Sequence, residues 1–283
     1  MKKLVKALLA AGLAASLVAC GSSSSDTGSD ASEKDDKVIK VGATPVPHAQ
    51  ILNEVVKDKL AEDGWTLEVV EFNDYVLPNT SLEEGEIDAN YYQTLGYMNG
   101  ENESRGLHLV AVKGVHIEPM GIYSEKYEKL EDIPEGAEIA VPNDEDNRDR
   151  AVQFLISQGF LEETDDYSAA AINDNAEVNP KGYKITELEA ATLPRALSDV
   201  DAAVINGNYA LEADLPASHP ALAIEEFDDE TSVLRTNFLV VKEGTEDSEK
   251  IQALIKAITS DEVQKYIDDT YKGAVITSFI DPE

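Results

Sequence analysis

Cysteine occurs once in the 283 residues, at position 20. An intramolecular disulfide, a CxxC redox pair and a thiolate zinc site are therefore excluded, and the body of the chain has no thiol nucleophile. Positive charge is scarce as well. Twenty-three Lys and Arg stand against 56 Asp and Glu, a formal net charge of −33. A chain this acidic repels DNA, RNA and anionic lipid surfaces, since phosphate binding needs Lys/Arg footprints that are missing, so nucleic acid is not expected as a partner. GxSxG, GxGxxG after a strand, GxxxxGK[ST] and SxxK are all absent, and nothing points to an enzyme or a cofactor. The histidines His48, His108, His116 and His219 are scattered without the spacing of an HExxH helix, and no metal site is expected. The acidic runs Asp144-Glu145-Asp146 and Glu225–Glu230 read as solvated surface loops.

The N-terminus has a positive start at Lys2, Lys3 and Lys6, followed by apolar, small residues 7–19 (ALLAAGLAASLVA). That run suits a secretory signal core and is too short for a spanning helix, which needs about 20 residues. Leu17-Val18-Ala19-Cys20 resembles a bacterial lipobox, in which the cysteine is lipidated and becomes the mature N-terminus. Residues 21–37 (GSSSSDTGSDASEKDDK) carry no apolar periodicity and read as a flexible tether, roughly 20–25 Å long as a coil. The expected layout is a signal peptide over 1–19 and a lipid-anchored tether over 20–37. Removing the three signal lysines takes the charge from −33 to −36. The expected location is the outer face of the bacterial cell membrane.

From Val38 onward strand and helix patterns alternate, and 42% hydrophobic residues are enough for a sizeable core. Val38–Ala43, Thr66–Phe72, Ile87–Tyr91, Leu107–Lys113, Gly121–Ser124, Glu138–Pro142, Lys184–Leu188, Ala202–Asn206 and Leu234–Val241 read as strands. Helices are expected over His48–Asp63, Asn147–Gln158 and Ser248–Tyr271. Such alternation argues for an α/β protein with largely parallel sheets. The length beyond Val38 is large for one open sheet, so two lobes are expected.

Several stretches resemble the methionine-binding lipoprotein (MetQ/NlpA) family, the solute receptors of methionine-type ABC importers. They are Phe72–Asn79 (FNDYVLPN), Gly85–Tyr91 (GEIDANY), His116–Ser124 (HIEPMGIYS), Ile139–Arg150 (IAVPNDEDNRDR), Glu187–Arg195 (ELEAATLPR) and Asp199–Tyr209 (DVDAAVINGNY). The resemblance implies a two-lobed periplasmic-binding-protein fold, with lobe one over 38–120 plus 238–283 and lobe two over 121–237. Ligand would lie in the cleft between them. It also implies a small-molecule ligand, an amino acid with L-methionine foremost, and importer permease and ATPase subunits as partners. A different amino acid, a small methionine-containing peptide, or a surface lipoprotein acting as adhesin or scaffold remain the alternatives.

A buried amino-acid zwitterion needs a cation for its carboxylate and acceptors for its ammonium. On residues alone, Arg150 reads as bridging one of its many acidic neighbours. The resemblance instead places it, beside Asn147, at the ligand carboxylate, where a guanidinium can fork bidentately. Arg148 would face elsewhere and lie at the surface. Asn206 and Asn237 match positions that hold the ligand's polar end, and Tyr75, Tyr92 and Tyr97 match the aromatic pocket. Tyr91 should point away from Tyr92 in an extended strand. The family pattern NYFQHxPY departs at Thr94 (His in the pattern), Tyr92 (Phe) and Gly96 (Pro). The departures lose an imidazole contact at Thr94 and add a hydroxyl at Tyr92, which should make the pocket more polar.

Mass analysis of membrane-extracted protein should show cleavage before Cys20 and added acyl mass. Soluble release of the wild type, unchanged by Cys20→Ala, would refute the anchor.

Overall fold

A computed structural model describes residues 37–226 and 229–282. The signal segment 1–19, Cys20 and the tether up to residue 36 lie outside the described residues. The remainder builds two sheets. In the first, β1 (Val38–Ala43) pairs in parallel with β2 (Thr66–Glu71) and β3 (Ala89–Thr94). The β1–β2 connection runs through the helical turns Pro45–Ala49 and Leu52–Val56 into the helix Lys57–Glu62. Gly64, at φ +81°, takes the left-handed position just past that helix, which favours glycine. β4 (Leu109–Ile117) ends the first pass through this sheet. The chain then crosses over Glu118–Met120 and builds the second sheet from β5 (Gly121–Tyr123), β6 (Glu138–Pro142), β7 (Lys184–Leu188), β8 (Ala202–Ile205) and β9 (Ala223–Ile224). It returns as β10 (Thr236–Lys242) and closes with β11 (Ile276–Thr277). Spatial orders are β11-β4-β10-β3-β1-β2 and β7-β6-β8-β5-β9.

The α/β, two-lobed expectation is met, but the sheets are mixed rather than largely parallel. β10 returns from the second sheet and inserts antiparallel between β3 and β4, and β5 runs antiparallel to β8 and β9. A strand that re-enters a sheet after crossing away is not bound by the βαβ rule that keeps neighbours parallel. The expected helix Ser248–Tyr271 is two helices, Glu249–Ile258 and Asp261–Tyr271. Ser260 between them is extended, and the acidic Asp261 and Glu262 favour a new N-terminus there. The expected strand Leu234–Val241 begins at Thr236, because Asp229–Arg235 is helical. The expected strands Ile87–Tyr91 and Leu107–Lys113 lie further along the chain, as Ala89–Thr94 and Leu109–Ile117.

Both sheets are covered on both faces, as suits strands this apolar. On one side of the first sheet Ile39, Val41, Leu239 and Val241 pack with Leu52, Val56, Leu254 and Ile267. On the other side Phe238 and Val240 meet Leu82 and Met98. In the second sheet Ile139, Val141 and Val204 pack on Val152 and Leu155 of the helix Glu145–Ser157. Ala203 and Ile205 face Leu193, Leu197 and Tyr209. Among the described residues no helix is long and apolar enough to cross a membrane.

Leu155 is wholly buried under the helix that carries Asn147 and Arg150. Leu155→Ala should lower the unfolding free energy by about 2–5 kcal/mol, because the cavity collapses only partly. Urea melts measure this, and a loss under about 0.5 kcal/mol would refute the packing described.

Candidate binding site

The C-terminal end of β3, the start of β10 and the Glu118–Met120 crossing converge on the turn after β8 and the helix Glu145–Ser157. Between them lies a narrow cavity of about 30 Å³, far below the roughly 300–1,000 Å³ of small-molecule sites. All eight residues expected at a ligand site line it: Tyr75, Tyr92, Thr94, Tyr97, Asn147, Arg150, Asn206 and Asn237. Gln93, Glu118, Gly207 and Asn208, which the sequence reading did not single out, complete the wall.

Arg150 is 5% exposed and already holds a carboxylate. Its Nε donates to both oxygens of Glu225 at 3.0 Å, and Nη2 donates to Glu225 Oε2 at 2.6 Å and to the Glu118 carbonyl at 2.8 Å. The bridging role and the cavity-lining role thus coexist in one side chain. One edge of the fork is taken by Glu225, while Nη1 makes no hydrogen bond among the described residues. Burial pushes the Glu225 carboxyl up, but the charge and hydrogen bonds of Arg150 outweigh it and hold the group below its ordinary value. Arg148, expected at the surface, is half-buried and paired with Asp149 at 2.7 Å.

Amides continue the polar wall. Asp144 caps the helix Glu145–Ser157, its Oδ1 accepting from the Asn147 backbone N–H at 3.0 Å and from Asn147 Nδ2 at 2.8 Å. Asn147 Oδ1 then accepts from Asn206 Nδ2 at 2.7 Å. Asn206 Oδ1 and Asn208 Nδ2 are buried without a hydrogen-bond partner. Buried polar atoms are rarely left so, and both of these residues line the cavity.

The tyrosines form the opposite wall, with ring centroids of Tyr75 lying 5.7 Å from both Tyr92 and Tyr97. Their hydroxyls are all used by the protein. Tyr92 and Tyr97 donate to the Tyr75 carbonyl at 2.7 and 3.1 Å, and Tyr75 donates to Asn208 Oδ1 at 2.6 Å. The extra hydroxyl of Tyr92 therefore does not add the polarity expected of it, because it is turned to backbone. Tyr91 points the other way, into the core, where its hydroxyl meets His116 Nδ1.

Thr94 is a cap rather than a free polar contact. Its Oγ1 accepts from the Tyr97 N–H and donates to Asp146 Oδ2 at 3.2 Å. A Cβ on Gly96 would lie 2.2 Å from Asp146 Oδ1, so this approach requires glycine there. Two departures from the family pattern thus admit a carboxylate from the opposite side of the cleft. Of the acidic runs expected at the surface, Asp144, Asp146 and Glu225 pack beside the cavity, while Glu145 and Glu226 are exposed. Burial raises Asp144 and Asp146 above the usual carboxylate range, and Glu225 grips Arg150.

Two of the four scattered histidines meet behind the cavity. His116 Nε2 lies 2.6 Å and His48 Nε2 3.2 Å from Glu118 Oε1, and His48 Nε2 is 3.1 Å from Asn237 Oδ1. Thr44 and Tyr91 hydroxyls face the two Nδ1 atoms. With both hydroxyls donating, the proton of each ring sits on Nε2, that of His116 pointing at Glu118 and that of His48 at Asn237 Oδ1. Among the described residues this is the one His/carboxylate group with ligand atoms close enough for a metal, all within 4.8 Å. Every ring nitrogen has a protein partner, so a metal would have to displace both Nε2 protons.

The family model described as NlpA lipoprotein matches residues 39–279. The D-methionine-binding lipoprotein MetQ of Escherichia coli K12 is 35% identical over 249 residues, covering 86% of this chain and 89% of the relative. A nutrient binding protein from Burkholderia cenocepacia, solved bound to methionine, is 37% identical with a TM-score of 0.76, covering 85% of this chain and 100% of that one. The substrate binding protein of a methionine transporter from Streptococcus pneumoniae is 34% identical with a TM-score of 0.78, covering 86% and 96%.

Burial lowers His48 from 6.5 to about 4 and His116 to about 3, against a partial opposing pull from Glu118 on His48. Both rings stay neutral in the fold while the unfolded chain protonates near 6.5. The stability each contributes is therefore full above about pH 6.5 and is lost as pH falls toward the folded value. NMR of the two buried imidazoles should show no titration from pH 7.5 down to 5. A midpoint near 6.5 for either ring would refute the buried network.

Proposed function

The chain belongs to the NlpA lipoprotein family, and on that premise we propose that it is a lipid-anchored receptor of an ABC importer that captures a free amino acid, L-methionine foremost. The carrying observation is the pairing, across one small cavity, of a buried guanidinium with a nitrogen still to spare and a wall of three tyrosine rings. Arg150 Nη1 would take the ligand carboxylate as a charge-assisted hydrogen bond. The rings of Tyr75, Tyr92 and Tyr97 would hold the side chain, and each thioether–aromatic contact contributes about 0.3–1.5 kcal/mol. Asn147, Asn206 and Asn237 would hold the polar end, with Thr94 bracing the mouth through Asp146.

In this reading the lobes over 38–120 plus 238–283 and over 121–237 close on the ligand, as hinged receptors do. The closed form is then handed to the permease, and ATP hydrolysis in the partner subunits drives transport. The receptor itself does no chemistry. Relatives named for methionine, at 34–37% identity, support the ligand class. The departures at Thr94 and Gly96, which bring Asp146 to the mouth, favour a different amino acid as the second reading.

A thermal-shift panel of L-methionine, D-methionine, leucine, glutamine and glycyl-methionine tests the assignment, with mass spectrometry of any small molecule released on denaturation. At a hundredfold excess over Kd a ligand stabilises the fold by about 2.7 kcal/mol, a readable shift. Arg150→Ala should cost about 30-fold or more in affinity. A response to another amino acid alone would replace methionine, and a folded Arg150→Ala protein binding within about threefold of wild type would sink the site.

A further inference from the structure

We propose that Glu118 receives the ligand's ammonium group, its carboxylate held by the imidazole N–H of His116, so that the cavity selects ligands with a free, charged amine. The proposal deepens the amino-acid reading above and rests on it.

Glu118 lies on the first crossing between the sheets, lines the cavity and is 5% exposed. Oε1 accepts from His116 Nε2 at 2.6 Å, and His48 Nε2, which bonds Asn237 Oδ1, lies 3.2 Å away. Oε2 lies on the Gly207 side, where a Cβ would come within 3.3 Å of it and 2.8 Å of Glu118 Cβ. Glycine at 207 keeps that approach open. Among the described residues no Lys or Arg pairs with this carboxylate. Its ring partners are neutral, and Arg150 touches only its backbone carbonyl while its guanidinium charge is matched by Glu225. Burial pushes the Glu118 carboxyl up, against through-space pulls from His48 and Arg150 and a hydrogen bond from the Asn208 backbone, so a directly paired ligand cation would stabilise its charged form.

The charge count around the cavity points the same way. Arg150 and Arg235 stand among four acidic side chains; burial raises Glu118, Asp144 and Asp146, and Arg150 holds Glu225 down. A ligand bearing only a carboxylate would add a fifth acidic group beside two arginines. A zwitterion adds no net charge, and can set its ammonium on Glu118 and its carboxylate on Arg150 Nη1. The buried, unpartnered Asn206 Oδ1 supplies a second acceptor for the three ammonium protons. Glu118 and Asn206 come from different elements, and each is without the partner its chemistry calls for.

Calorimetry with two probes tests this: L-methionine and 4-(methylthio)butanoate, which differ by the amino group alone. Wild type should bind the desamino acid about 30-fold or more weakly than methionine. Glu118→Gln, which keeps size and removes charge, should lose at least about tenfold for methionine while its affinity for the desamino acid stays within about threefold of wild type or rises. Equal binding of both probes by wild type overturns the proposal without any variant, so a poorly folding Glu118→Gln leaves it open to refutation. Methionine binding by a folded Glu118→Gln protein within about threefold of wild type overturns it too. Those results would leave the receptor reading standing. Failure of wild type to bind any free amino acid in the panel would remove the receptor reading, and this assignment with it.

Discussion

The ion pair between Arg150 and Glu225 is the contact on which the rest of the site is arranged. Glu225 follows β9, on the path back to the first sheet, and its backbone N–H donates to the Met120 carbonyl while its Oε2 accepts from the Met120 N–H. Arg150 adds a hydrogen bond to the Glu118 carbonyl on the outgoing segment. One helix side chain therefore ties both crossings together where the sheets meet. A buried pair of this kind contributes little net stability, because desolvation offsets most of the Coulomb energy. Its effect here is geometric. It fixes the guanidinium on one edge and leaves the other for the cavity.

The division of the cavity into a charged end and an aromatic end follows from where the hydroxyls and amides are spent. Tyr75, Tyr92 and Tyr97 direct their oxygens to a backbone carbonyl and an amide, so they present rings. Burial raises Tyr75 and Tyr92 well above the usual phenol range and keeps them uncharged. Gln93 does the opposite of a ligand contact with most of its amide. It bonds Asn79 and Asn90 in a closed network beneath β3, which braces the strand that carries Tyr92 and Thr94. At the mouth, Gly96 gives Asp146 room to accept from the Thr94 hydroxyl that caps the helix Leu95–Arg105. A histidine and a proline at these two positions would change both the contact and the space.

The strands Val38–Ala43, Glu138–Pro142 and Lys184–Leu188 were legible because each is a short apolar run bounded by turn residues. The break at Ser260 was not, since apolar periodicity continues across it and only the local cap signal differs. Arg150, Asn147, Asn206, Asn237 and the tyrosines could be named from motif resemblance, and they do converge on one cavity. Glu118 and Asn208 lay inside quoted stretches, HIEPMGIYS and VINGNY, yet carried no separate signal. Their importance comes from an absent partner, which only coordinates reveal.

Composition and pattern alone determined the class: an acidic α/β chain with one cysteine behind a signal-like start, without the motifs of common enzymes or a nucleic-acid footprint. These properties are sums or local periodicities, and a linear string contains them. What only the tertiary structure decided is which few of 56 acidic residues are not solvated surface, and which two of four histidines meet. His48, on the turn after β1, and His116, near the end of β4, meet although β10 and β3 separate those strands, in a sheet whose order no local pattern encodes. Asp146 and Glu225 sit in runs that look like exposed loops, and their burial depends on the opposite lobe's approach. Charge acquires its role from desolvation and partners, and both are properties of the fold rather than of the residue.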